Sequence, residues 1–184
     1  VCRVVNGLRH ARIGAIGARP AAFQTVRYSE KLLQADGVTV VPVDLSEIIF
    51  GAQSLADDDP AVKVKVADVL VYGKIPDTIP QSSILKQAKL SVTLDRWMDE
   101  NECDASAVEC WDSIQKNYGC ATCLSMAMMG DRHLPSACEV DVMGAVSMYA
   151  LLLASGNAPA FQDWNNNYGD DRDMCLNTHC SNFP

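Results

Sequence analysis

Two apolar runs, RIGAIGARP over residues 12–20 and VTVVPVDL over 38–45, flank a stretch of helical spacing. This alternation limits the fold more than any other feature of the chain. The first run reads as a short buried strand breaking into a glycine-bearing turn, the second as a β-branched strand ending at Asp44. Between them, AFQTVRYSEKLLQADG places Phe23, Val26, Leu32 and Leu33 at helical intervals, with Gly37 as the stop. SEIIFGAQ then opens another helix with Ser46 as its N-cap. Strand, helix, strand, helix is the signature of a parallel sheet covered by helices.

The remainder extends the pattern and then changes it. Residues 60–102 read as mostly helical, with Pro76 and Pro80 separating one helix around AVKVKVADVLVYG from a longer one around SSILKQAKLSVTLDRWMDE. DASAVECWDSIQKNYG reads as a third, with Asp104 as N-cap and Gly119 as stop. CATCLSMAMM lacks alternation and reads as a strand buried on both faces, GDRHLPSACE as its loop, and VDVMGAVSMYALLLASG as the helix after it. Past Gly156, APAFQDWNNNYG and MCLNTHCSNF flank DDRD, a connection too short for a crossover helix, so the two segments form an antiparallel hairpin. The expected fold is α/β. Residues 1–156 form a three-layer Rossmann-like parallel sheet with helices on both faces. Residues 157–184 form the first hairpin of a C-terminal β domain whose remainder is absent. The chain does not begin with Met, and it is expected to be part of a longer protein.

Composition removes several function classes. A net charge of −8 repels phosphate backbones and anionic lipid, so neither nucleic acid nor a membrane surface is an expected partner. The most apolar stretch, MGAVSMYALLLASG, is 14 residues, too short to span a bilayer. The N-terminal segment has no apolar run leading to a cleavage site. With eight cysteines, several inside apolar runs of a chain well supplied with core residues, buried free thiols of a cytoplasmic protein are expected rather than a disulfide framework.

The candidate chemistry lies near the end of the chain. Glu139 is placed in a loop leaving the C-terminal end of a strand, where open α/β sheets put their ligands. In the hairpin, a turn centred on Asp171 sets Asp163 opposite His179, with Cβ atoms about 4.5–5.5 Å apart. Two carboxylates and an imidazole converging there make an O,O,N site for a divalent metal of the Mn²⁺ kind.

ACEVDVMGAVSMYALLLASG, AFQDWNNNYGDD and HCSNFP together resemble the L-fucose isomerase and L-arabinose isomerase superfamily. GARPAAFQTVRYSEKLLQADGVTVVPVDLSEI and DASAVECWDSIQ are similar to the middle domain of its fucose-isomerase-like members. The resemblance implies aldose–ketose isomerisation through a cis-enediol on an L-fucose- or L-arabinose-like sugar. It implies that Glu139 and Asp163 are metal ligands and also the acid/base pair. It implies that His179 joins the metal as in the arabinose-isomerase pattern, whereas fucose isomerases draw that histidine from later in the chain. Mn²⁺, or Mg²⁺ or Co²⁺ in its place, is the implied cofactor, and a trimer or hexamer the implied full-length assembly. The piece alone is expected to be inactive. Glu109 and Trp111 fall where the family carries side chains towards the sugar. Trp164, Asn165 and Asn166 flank Asp163 and are candidates for contacts to sugar hydroxyls, as are Ser181 and Asn182.

Plainer roles stand beside these. Glu139 could be a carboxylate favoured by the dipole of the helix that follows, Trp111 a core aromatic, Asp163 a surface acid and His179 an exposed strand residue. Asp131 and Asp141 read as solvated or capping residues, and His133 as a surface histidine. GAIGARP lacks the third glycine of a dinucleotide fingerprint, so Arg19 is placed towards substrate or a neighbouring domain instead. Two rival functions remain: a non-catalytic sugar- or nucleotide-binding Rossmann-like module, and a cysteine-based zinc or redox module. Against the latter, Cys120 and Cys123 would point to opposite faces of a strand.

Overall fold

The computed structural model describes residues 1–179, 183 and 184, so the expectations for Ser181 and Asn182 lie outside the described residues. Helix α1 (Cys2–Leu8) precedes β1 (Arg12–Ile16), α2 (Glu30–Ala35) and β2 (Thr39–Val43). Three helices follow, α3 (Leu45–Ser54), α4 (Pro60–Tyr72) and α5 (Gln81–Glu100), and then β3 (Ala105–Val108). The chain continues through α6 (Ser113–Asn117), α7 (Cys123–Asp131), β4 (Ser136–Cys138) and α8 (Val142–Ser155) to a hairpin, β5 (Asp163–Tyr168) and β6 (Asp171–Thr178). The first four strands form one parallel sheet in the order β2-β1-β3-β4, and the hairpin forms a separate antiparallel sheet. The expected α/β architecture is therefore present.

Two apolar layers hold the sheet. On one face, Ile13, Ala15, Ala105, Ala107 and Ala137 receive Val142, Ala145 and Met148 of α8. Four of those five strand residues are alanine, which lets the helix lie close to the sheet. On the other face, Ile16 and Val108 meet Leu90, Leu94 and Met98 of α5 and Met126 and Met129 of α7. Burial of each such Leu, Ile or Met side chain contributes about 1.5–3 kcal/mol. At Gly14 a Cβ would lie 2.7 Å from Trp97 Cζ3, so the strand carries no side chain there.

Several elements differ from the sequence reading, each for a local reason. Residues 20–29 are turns and coil, and α2 begins only after Ser29, whose hydroxyl accepts from the Leu32 N–H at 3.4 Å. Asp44, not Ser46, caps α3, its carboxylate accepting from the Ser46 N–H at 2.8 Å. Residues 105–108 are a central strand, not the start of a helix. Asp104 is an anchor beside that strand, accepting from the Arg12 N–H at 2.9 Å and the Tyr149 hydroxyl at 3.2 Å. CATCLSMAMM is not a strand: Cys123 opens α7, which is buried continuously from Ser125 to Gly130. A helix buried all round shows no periodicity to distinguish it from a buried strand. The loop expected after it contains β4.

If β3 is a central strand under α8, enlarging Ala107 must overpack that layer. Ala107→Leu is expected to lower stability by about 1–3 kcal/mol in urea unfolding. A neutral result would return the segment to a surface helix.

Candidate functional site

β1 pairs with β2 on one side and β3 on the other. The chain reverses its direction of sheet growth there, and in open parallel sheets a crevice opens at the carboxyl ends of such strands. Gly17 leaves β1 at that edge with φ +89°, a conformation that disfavours side chains. A Cβ at Gly17 would also lie 2.7 Å from Glu109 Cβ, so glycine satisfies both the turn and the approach of β3. Glu109 Oε2 accepts the Ala18 N–H at 2.9 Å, and the Glu109 N–H donates to the Ile16 carbonyl at 2.9 Å. The turn is thus clipped to the end of β3.

Glu109 also lines a cleft of 680 Å³ whose wall includes Phe23, Trp111 and Asn117. Trp111 is 49% exposed and meets Phe23 edge-to-face, with ring centroids 5.6 Å apart. Trp111 is therefore not a core aromatic. Its ring stands on that cleft.

The loop after β4 carries Glu139 in an unusual backbone. Glu139 has φ +64° and Val140 φ +55°. For non-glycine residues, and a β-branched valine above all, this region costs of order 1–3 kcal/mol per residue. Hydrogen bonds from Val140 N to the Val108 carbonyl and from Asp141 N to the Cys138 carbonyl, at 3.3 and 2.9 Å, hold the turn. Asp141 caps α8, accepting the Gly144 N–H at 2.8 Å, and so fills the capping role expected of it. Behind the turn lies buried Cys110, whose thiol the Cys138 side chain holds below its ordinary value, with the Glu139 backbone acting in the same direction.

Burial, and after it the negative charges of Asp163 and then Asp141, together push the Glu139 carboxyl up to about 7. Glu139 and Asp163 thus share one electrostatic neighbourhood, although Asp163 belongs to the other sheet. The third expected member stands differently. A register shift in the hairpin sets Asp163 opposite Thr178 and leaves His179 one residue past it. The His179 ring packs edge-on against Phe161, centroids 5.1 Å apart, and Phe161 leans on α8 at Gly144. Among the described residues no group of three His, Cys, Asp or Glu side chains is placed to hold a metal. The two acids supply hard oxygen donors suited to a divalent cation; His179 does not complete a set with them. Trp164 is 86% exposed, and the Asn165 side chain donates to the Asp163 carbonyl at 3.4 Å; neither residue lines a cleft described here.

The cysteines do not form a CxxC centre. The premise that Cys120 and Cys123 share a strand is corrected, since Cys123 opens a helix. Cys120 donates to Gln87 Oε1 at 2.7 Å, and burial pushes its thiol up to about 11. Among the described residues, Cys2, Cys103, Cys110, Cys120, Cys138 and Cys175 form no disulfide. No helix among the described residues is long and apolar enough to cross a membrane.

Sequence reasoning missed a second cavity at the same edge, lined by Gly17, Arg19, Arg27, Tyr28, Pro42 and Val140. The helical spacing of the sequence puts Arg27 and Tyr28 within a helix, whereas turns and coil over residues 20–29 bring them to this cavity.

No protein-family model matches the chain. Over 165 residues it is 30% identical to proteins named sulfoquinovose isomerase from Priestia aryabhattai and Priestia megaterium, covering 89% of this chain and 36% of each relative. A protein of the same name from Clostridium sp. (strain MSTE9) is 29% identical over 161 residues, covering 87% of this chain and 36% of its own length. The chain therefore spans little more than a third of the curated relatives it matches. Those names agree with the expected class, sugar isomerases, and not with its L-fucose or L-arabinose part.

The raised Glu139 carboxyl has a stability consequence with a definite sign. The folded protein holds a proton that the unfolded chain releases between pH 4.5 and about 7, so stability is lost as pH rises through that window. Glu139→Gln is expected to flatten the dependence, matching the wild type at pH 4 and melting higher at pH 8 in calorimetry. A variant melting lower at pH 8 would contradict the repulsion.

Proposed function

We propose that the chain carries one wall of the active site of a metal-dependent aldose–ketose isomerase, with Glu139 and Asp163 as its acid/base pair. The observation that carries this reading is the approach of two carboxylates from separate sheets at the carboxyl edge of β4. One sits on a strained backbone. Strain of that kind clusters at functional sites.

Isomerisation moves a carbonyl between C1 and C2, and the sugar must lose a proton from one carbon and gain one at the other. Glu139, half-buried, takes or returns that proton; Asp163, more exposed, serves the oxygen side. The same two carboxylates would hold a divalent cation such as Mn²⁺, Mg²⁺ or Co²⁺, which supplies charge stabilisation for the cis-enediol's oxygens. Further donors come from residues beyond this chain or from His179 after the hairpin settles against them. Trp111 offers a flat apolar face and Glu109 a carboxylate to the sugar, as their shared cleft allows.

The exposed hairpin fits the same reading. Every residue of β6 is exposed, and Trp164, Tyr168, Met174 and Leu176 present large apolar surface. A two-stranded sheet open on both faces is marginal alone and is expected to be covered by further β structure or a neighbouring subunit. The isolated chain is accordingly proposed to be inactive, and the working protein to be an oligomer. For the substrate, similarity to proteins named for sulfoquinovose favours an aldohexose of that kind over L-fucose or L-arabinose.

In the full-length protein, Glu139→Gln or Asp163→Asn is expected to lower kcat by about 10²–10⁴-fold without lowering Tm. Turnover in D₂O is expected to place solvent deuterium on the ketose C1. Full activity in both variants would defeat the reading.

A further inference from the structure

The cavity bordered by Arg19, Arg27 and Tyr28 has a volume of 340 Å³, small for a whole ligand and suited to one end of it. Its lining includes two arginines and a tyrosine. The chain carries 23 acidic and 15 basic residues, yet neither arginine of this cavity forms an ion pair among the described residues. Arg19 uses Nη1 to bind the carbonyls of Pro20, Ala21 and Phe23, at 3.1, 3.5 and 2.9 Å. Those bonds fix the guanidinium in place, and its Nε and Nη2 donors make no hydrogen bond among the described residues. Arg27 makes none at all there. Glu30 acts electrostatically on Tyr28 but does not line the cavity.

Position adds to the chemistry. Gly17 borders this cavity and also carries the turn clipped to Glu109, while Val140 borders it and directly follows Glu139. A molecule with its reacting carbons at Glu139 could therefore place its far end against the arginines. Guanidinium forks match the oxygens of tetrahedral oxoanions in pairs, and a phenol adds a further donor.

The geometry points to an oxoanion-binding subsite in which Arg27, prepositioned Arg19 and Tyr28 take the sulfonate or phosphate end-group of an anionic sugar. The cavity argument is independent of the isomerase reading; the identity of the ligand as a sugar rests on it. Recognition of this kind explains how a protein of charge −8 could attract an anionic substrate, since the attraction is confined to one end of the cleft.

The test uses the full-length protein, wild type and Arg27→Gln, with Arg27→Lys as the conservative control. Arg27 is exposed and makes no hydrogen bond, so the variants are expected to keep the wild-type Tm. Methanesulfonate, inorganic phosphate and neutral methanol serve as binding probes by titration calorimetry. Aldohexoses bearing a 6-sulfonate, a 6-phosphate or a 6-hydroxyl serve as substrates. Arg27→Gln is expected to weaken oxoanion binding and raise KM for the anionic sugar about tenfold or more, with kcat and the neutral sugar unaffected and Arg27→Lys intermediate. The two anionic sugars show which end-group the site prefers. Oxoanions that fail to bind, or that bind equally well to Arg27→Gln, overturn the subsite even if neutral aldoses are isomerised. Arg27-dependent anion binding without turnover of any aldose keeps the subsite and overturns the isomerase reading.

Discussion

The turn at Glu139 and Val140 decides where this molecule can do chemistry. Two successive residues in the left-handed region swing the chain out of β4 and into α8 within three residues, and they leave the Glu139 carboxylate at the carboxyl edge of the sheet. The turn is held from two sides: by the Val108 and Cys138 carbonyls and by the Asp141 cap of α8. The alanine-lined contact of α8 with the sheet fixes the helix that the turn must reach. Packing, capping and strain thus serve one placement.

From that placement the rest of the site follows. The switch between β1 and β3 opens the crevice, the Gly17 turn clipped to Glu109 forms its floor, and residues 19–23 border both cavities. The hairpin brings Asp163 close enough to raise the Glu139 carboxyl while remaining otherwise exposed. A structure that spends conformational strain to hold like charges near one another is arranged for something that relieves the repulsion, a proton or a cation.

Legibility in the sequence followed the strength of local signals. β1 and β2 were readable from their apolar, largely β-branched runs, and α8 from buried residues at 142, 145, 148 and 152. Glu139 was legible as a loop acid after a strand, although that strand is β4 and not the run at residues 120–129. β3 was not, since ASAV carries no strand preference and is a strand only because neighbours on both sides pair with it. α7 was misread because a helix buried on every side has no polar stripe. The hairpin itself was readable from its turn residues, but its register was not: irregularities around Asn167 shift the pairing, and His179 loses its place opposite Asp163. Arg27 and Tyr28 had no motif; only the turns at residues 20–29 bring them to the cavity.

The central claim is that the Glu139 and Asp163 carboxylates act on one another in one site. Carbon-13 NMR titration of the Glu139 carboxyl, in wild type and Asp163→Asn under metal-free conditions, tests it most directly. The account predicts a wild-type midpoint well above that of an ordinary glutamate and a lower one once the Asp163 charge is gone. A midpoint that Asp163→Asn leaves unchanged would mean the two acids do not meet, and the site would have to be sought elsewhere.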